Sequence, residues 1–185
     1  DQYAATFGGI NFMEFYSDSK VIVNPLRIKD KIMNELSRNM VLFYTSTSRD
    51  SASIIEQQQK NVVNNNIQSI EAMQHLKKQA ILMKEALLRS DLNRIGYILN
   101  LGWQYKKQMA DGICTHLFED VYTAALEAGA IGGKISGAGG GGYIFFYCPD
   151  CVRYRVIDVL NNFGGNVRRF EFTKEGLQTW QMDDK

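Results

Sequence analysis

The sequence is short of cysteine, of charge bias and of long apolar runs, and each shortage closes off a class of function. Three cysteines, Cys114, Cys148 and Cys151, are an odd number in a chain of 185 residues. A disulfide framework is therefore not expected, and a reducing compartment, the cytoplasm, is. Cys148 and Cys151 have C-x-x-C spacing, but no second C-x-x-C or H-x-x-H completes a zinc set, so they read as small apolar thiols in a strand-end turn. Lys and Arg number 21 against 20 Asp and Glu, a formal net charge of +1. That supplies no basic field for nucleic acid or an anionic membrane, and neither is expected as a partner. An anionic ligand must then be met by a local site. No apolar run approaches the roughly 20 residues of a membrane span, and no internal repeat or low-complexity segment is present.

What the chain does have is a core and a concentration of glycine. It is 45% hydrophobic and 22% charged, the balance of one or at most two compact domains. Residues 134–148 read K-I-S-G-A-G-G-G-G-Y-I-F-F-Y-C. Gly137 and Gly139, Gly140, Gly141 and Gly142 lack a Cβ, so the backbone can take φ > 0 there and come close to a ligand. A turn needs one or two glycines. Successive free N–H groups in such a loop make a concave anion site of the kind that holds phosphate. A loose hairpin loop is the plainer alternative; Lys134 and Ser136, immediately upstream, favour phosphate. The loop is neither a Walker nor a dinucleotide fingerprint, because G-x-x-x-x-G-K-[ST] is missing and no acidic residue follows at the Rossmann distance.

Pattern and punctuation place the elements. Residues 1–7 form a short helical piece stopped by Gly8-Gly9, followed by strands at 10–16 and 20–24 joined by the turn Ser17-Asp18-Ser19 and closed by Pro25. Residues 39–45 are a buried-type strand. It feeds a helix at 52–63 through Ser46-Thr47-Ser48-Arg49-Asp50-Ser51, which sets hydroxyls and free backbone N–H groups beside a guanidinium, or is an ordinary helix cap with a solvated Arg49. A helix at 67–89 carries one apolar stripe, Ile67, Ile70, Met73, Leu76, Ala80, Met83 and Leu87. Helices at 91–110 and 115–128, strands at 131–136 and 142–148, a helix at 150–163 and a strand at 166–172 complete the chain. The order is that of an α+β fold, a ferredoxin-like antiparallel sheet with a helical insertion, preceded by a short helix and β-hairpin.

The motif K-I-S-G-A-G-G-G-G-Y resembles the third signature of the GHMP kinase superfamily, whose members include galactokinase and mevalonate kinase. Three more stretches narrow the resemblance to the bacterial D-glycero-D-manno-heptose 7-phosphate kinases. Asp1-Gln2-Tyr3 is similar to D-Q-[YF]. Residues 44–49 are similar to Y-T-G-x-S-R with Ser46 in place of Gly, and residues 99–107 to L-x-x-G-W-x-x-K-K.

The resemblance implies an ATP- and Mg2+-dependent kinase that phosphorylates the anomeric hydroxyl of a heptose 7-phosphate. Residues 1–26 would be the tail end of the N-terminal domain and 27–185 the C-terminal domain. Asp1 would accept the proton from the acceptor hydroxyl. Ser136, Gly137, Ala138, Gly139, Gly140, Gly141 and Gly142 would lie over the nucleotide phosphates, and Arg49, Trp103, Lys106, Lys107 and Lys134 would hold the acceptor. No protein metal ligand is implied. The family's main phosphate loop, P-x-x-x-G-L-G-S-S, is not in this sequence, which opens on Asp1 in mid-pattern, so the chain reads as a fragment expected to be inactive alone. Implied partners are a sugar phosphate and ATP, with a second copy of the chain as a candidate. A fucokinase or galactokinase-like enzyme, or a non-catalytic ligand-binding or dimerisation module, are the alternatives.

Overall fold

The computed structural model describes residues 2–47 and 51–181. Helix α1 (Gln2–Phe7) stops at Gly8, whose φ of +63° is open to glycine and whose N–H donates to Ala4 O at 3.0 Å. Strands β1 (Asn11–Phe15) and β2 (Val21–Pro25) form a two-stranded antiparallel sheet in which Asn11 lies opposite Pro25. Proline is tolerated there because the pair is open to solvent and needs no further donor. The polar tail packs on this segment. Gly9 N–H donates to Thr173 O and Leu177 N–H to Thr6 O, both at 3.0 Å, while Trp180 is 80% exposed.

The next element is a correction. Residues 30–38, which the sequence reading left without structure, form helix α2 (Asp30–Arg38). Its start has no side-chain cap, Lys29 occupying that position, and only Ile32, Met33 and Leu36 among nine residues are apolar. Those three lie on one face at helical spacing, and Leu36 is buried.

Strand β3 (Met40–Tyr44) follows directly, then α3 (Ser51–Val63), α4 (Ile67–Leu88), α5 (Leu92–Lys107) and α6 (His116–Glu127). Strands β4 (Gly132–Ile135) and β5 (Tyr143–Tyr147), helix α7 (Val152–Leu160) and strand β6 (Asn166–Arg168) close the fold. The caps are those the sequence offers: Asn66, Asp91 and Thr115 accept from the N–H groups of Ser69, Arg94 and Phe118. Several boundaries differ from expectation, α7 among them, which ends at Leu160 rather than 163. Helix α5 ends at Lys107 rather than 110, and β6 at Arg168 rather than 172, where Phe170 and Phe172 meet edge to face with ring centroids 5.5 Å apart.

The sheet order is β4-β5-β3-β6 with all neighbours antiparallel, the ferredoxin-like arrangement. Side chains alternate between its faces. Val41, Phe43, Ile135, Ile144 and Phe146 enter one buried cluster with α6 and α7, while Met40 and Tyr147 enter a second with α2 and the early part of α5. Helices α4 and α5 pack together as a hairpin, and α5 lies along β4. Their contact corrects the stripe expected on α4. Ser69, Ala72, Gln79, Ala86 and Leu87 are the buried positions, and Ile67 and Ala80 are exposed. Small residues let the helices approach closely, and Gly102 of α5 leaves room for Gln79, whose Oε1 would lie 2.8 Å from any Cβ there. A stripe counted in large apolar residues finds Met73, Leu76, Met83 and Leu87 of this face and misses its small and polar members. Among the described residues no helix is long and apolar enough to cross a membrane.

Candidate active site

The glycine loop joins β4 to β5, two neighbouring strands that leave their hydrogen-bond ladder at Ser136, whose N–H donates to Tyr143 O at 2.8 Å. Four of the five glycines use the freedom expected of them: φ is +86° at Gly137, +118° at Gly139, +74° at Gly140 and +91° at Gly142. Gly141 does not. Gly139 is needed for a second reason, since a side chain there would run into Ile113. Two amides are spent on fixing the loop, Gly140 N–H to Ile113 O and Gly142 N–H to Thr47 O, each at 2.9 Å. Among the described residues the N–H groups of Gly137, Ala138, Gly139 and Gly141 have no partner. The first three are successive, and they form the nest that suits an anion.

The loop is anchored to the end of β3. Thr45 N–H donates to Gly142 O at 3.0 Å, and the Thr45 hydroxyl donates to the same oxygen at 2.9 Å. Ser46, at the position where the motif Y-T-G-x-S-R has glycine, adopts φ +57°. Serine thus holds a left-handed conformation that glycine would take without strain.

Beside the loop stand the lysines, and the structure separates three that looked alike in sequence. Lys134, on β4 two residues before Ser136, is half-buried, and burial pulls its ammonium below the usual lysine range. Lys106, in the last turn of α5, is lowered first by burial and then by the charge of Lys134. Among the described residues neither has a carboxylate partner. Lys107 is occupied instead. Its Nζ bonds both Glu119 oxygens at 3.0 and 3.1 Å and lies 5.8 Å from the centre of the Trp103 ring. Trp103 itself is 1% exposed and packs in the core against Tyr122.

Glu119 also accepts from the Cys114 thiol at 3.1 Å. That bond and Lys107 hold its carboxyl below the usual range against the opposing effect of burial. Burial and Glu119 push the Cys114 thiol up to about 12, which keeps it protonated and inert.

Two residues that sequence reasoning did not single out position this centre. Tyr122 on α6 accepts from Gly133 N–H at 3.1 Å and donates to Asn100 Oδ1 at 2.9 Å, pinning β4 to α5 just before Lys134. Burial pushes its phenol up to about 12. Thr45 is the other. A buried tyrosine among apolar neighbours gives no signal of such a role; only the register of β4 against α5 reveals it. The expected catalytic Asp1 and acceptor-binding Arg49 lie outside the described residues.

The arrangement as a whole offers backbone donors for one anion and an unmatched pair of cations for another. Residues 83–166 match the family of GHMP kinases, C terminal. The chain is 44% identical over 98% of its length to D-glycero-alpha-D-manno-heptose 7-phosphate kinase of Campylobacter jejuni, of which it covers 53%. It superposes with a TM-score of 0.71 and 36% identity on the crystal structure of a D-glycero-D-manno-heptose 1-phosphate kinase from Bacteroides thetaiotaomicron, covering all of this chain and 49% of that one. The L. major mevalonate kinase gives the same TM-score at 21% identity over 86% of this chain and 47% of its own, a likeness of fold alone. The chain thus spans about half the length of the heptose kinases it matches, and within that half residues 83–166 match the C-terminal domain of the GHMP kinases.

Proposed function

We propose that this chain is the C-terminal part of an ATP-dependent kinase that phosphorylates the anomeric hydroxyl of D-glycero-D-manno-heptose 7-phosphate. The observation that carries the reading is the pair Lys106 and Lys134, half-buried, mutually repelling and without a carboxylate partner among the described residues, beside a loop with three successive free amides. Partly burying two like charges is costly unless an anion compensates them, and a phosphate dianion on the acceptor does so. Phosphoryl transfer asks a protein mainly for positioning and charge stabilisation. In this reading the amides from Gly137 to Gly139 face the nucleotide phosphates, and Lys106 and Lys134 take the phosphate of the sugar. Asp1 orients or deprotonates the acceptor hydroxyl, and Arg49 adds to the cationic side. Mg2+ arrives with ATP as the MgATP substrate. Residues 1–26 belong in this reading to the N-terminal domain and 27–185 to the C-terminal one.

The names of the two heptose kinase relatives differ in the position of the phosphate, so the test must separate the positions. The complete encoded protein is assayed with MgATP against heptose 7-phosphate, heptose 1-phosphate, unphosphorylated heptose, fucose and galactose. Turnover of heptose 7-phosphate, with kcat/KM at least tenfold above every unphosphorylated sugar, is the expected result. Fucose or galactose used equally well would overturn the acceptor assignment, and no turnover of any sugar together with no ATP binding would make the chain a non-catalytic module.

A further inference from the structure

We infer that Thr45 is a positioning residue for phosphoryl transfer, its buried hydroxyl helping to set the direction of the Gly141 amide in the glycine loop; the inference rests on the proposed kinase activity. Thr45 is 3% exposed and polar. Its Oγ1 lies 2.9 Å from Gly142 O and 2.9 Å from Thr47 Oγ1. A hydroxyl has one proton to give. The carbonyl oxygen of Gly142 can only accept, so Thr45 donates to it and Thr47 in turn donates to Thr45. The result is a directed chain, Thr47 to Thr45 to Gly142.

Gly142 is thereby held on both sides. Its N–H donates to Thr47 O, and its carbonyl takes the Thr45 N–H as well as the Thr45 hydroxyl. With φ at +91° and no atom within 4 Å of a Cβ position, nothing steric selects this conformation. Hydrogen bonds must select it. The other fixed point is Gly140, held by Ile113 O. The unpartnered Gly141 amide lies between the two fixed residues, so its direction follows from theirs.

Such a group acts on turnover rather than on substrate affinity. Donors preorganised for charge that develops in the transition state contribute more there than in the ground state, and small misplacements cost on the order of 10²-fold in rate. Thr45→Val in the complete encoded protein keeps the side-chain volume, the Thr45 N–H bond and the strand, and loses the donor to Gly142 O together with the acceptor of the Thr47 hydroxyl. The expected result is a kcat lowered about 10–100-fold with KM for MgATP and for the sugar phosphate within about threefold of wild type. Thr45→Ser, which keeps the hydroxyl, should restore kcat to within about threefold. Should the valine variant not fold, Thr45→Cys replaces it as a weaker donor of similar volume, with a smaller kcat loss in the same direction. A valine variant with wild-type kcat, or a serine variant that fails to recover, overturns the inference while wild-type turnover leaves the kinase assignment standing. A wild-type protein that phosphorylates no sugar overturns both.

Discussion

The two ends of the β3 strand carry two concave regions, and they differ in kind. At the start of β3, α2, the first residues of the hairpin and the tail enclose about 910 Å³ lined by both apolar and charged side chains. Of the charges there, Lys174 is matched with Asp30 and Glu171 with Arg169, while the exposed Arg27 has no ion-pair partner among the described residues. At the other end the glycine loop and the two lysines present, among the described residues, unmet donors and unmatched charge. Its neighbouring pocket, between Cys114, Thr115, His116 and Glu119, is only half the size at about 460 Å³. Volume therefore points to one end and unsatisfied chemistry to the other. Unpaired, partly buried cations and free amides cost stability unless a ligand answers them, so they are the better guide to function.

The sharpest way to break this comparison is to remove an amide direction at the loop end. Gly137→Val in the complete encoded protein should lower kcat/KM about 10²–10³-fold, the cost of a lost preorganised donor. Gly137 has φ +86°, is exposed and has no atom within 4 Å of a Cβ position, so melting temperature should move little. Gly140 is a poorer probe, being buried and bonded to Ile113, because its replacement would confuse fold with function. Kinetics and thermal melting of one sample decide the matter. Lys106→Met should follow with a loss of about 10–100-fold in kcat/KM for the sugar phosphate and a melting temperature raised by about 1–3 °C. Both lysines titrate lower in the folded protein than in the unfolded chain, so below their folded pKa the charged pair destabilises the fold. As pH rises toward the ordinary lysine value of 10.5 that penalty fades, and the advantage of the variant should shrink with it.

These two effects also mark what was legible in the sequence. The sheet, its order and the glycine loop could be read because strand pattern, glycine and caps act locally. Helix α2 escaped because it has no cap and only three apolar residues, and its face is defined by what packs on it. The division of labour between Lys106 and Lys107 escaped for a similar reason. Neighbours in a helix point about 100° apart, and only Glu119, twelve positions after Lys107 on another helix, shows which of them is free. Thr45 reads as one more strand residue until its register against Gly142 is known.

Two smaller effects sharpen the contrast between occupied and unoccupied groups. Lys107→Ala should change kcat/KM only a few-fold and stability by at most about 1 kcal/mol, since a half-exposed ion pair contributes no more. A loss as large as that of Lys106→Met would place Lys107 in the acceptor site. At the opposite end, Asn34→Trp inserts an indole at the edge of the larger cavity. Less than a twofold change in kcat/KM is expected. A tenfold fall would mean that the cavity, and not only the loop, takes part in catalysis.

The smallest expected effect belongs to Ser46. Its φ of +57° costs an L-residue about 1–2 kcal/mol. Glycine removes that strain but loses roughly 0.5–1 kcal/mol of backbone entropy on folding. Ser46→Gly should therefore stabilise by about 0–1 kcal/mol, a rise of at most ~4 °C in melting temperature, with kcat unchanged. Ser46→Val should destabilise, because a β-branched side chain is an outlier in that region. If the valine variant melts as wild type does, the turn after β3 is not strained, and the anchoring of the glycine loop to it is softer than the bonds from Thr45 and Thr47 imply. If glycine stabilises while kcat falls, the serine hydroxyl has a part in turnover that its backbone conformation does not account for.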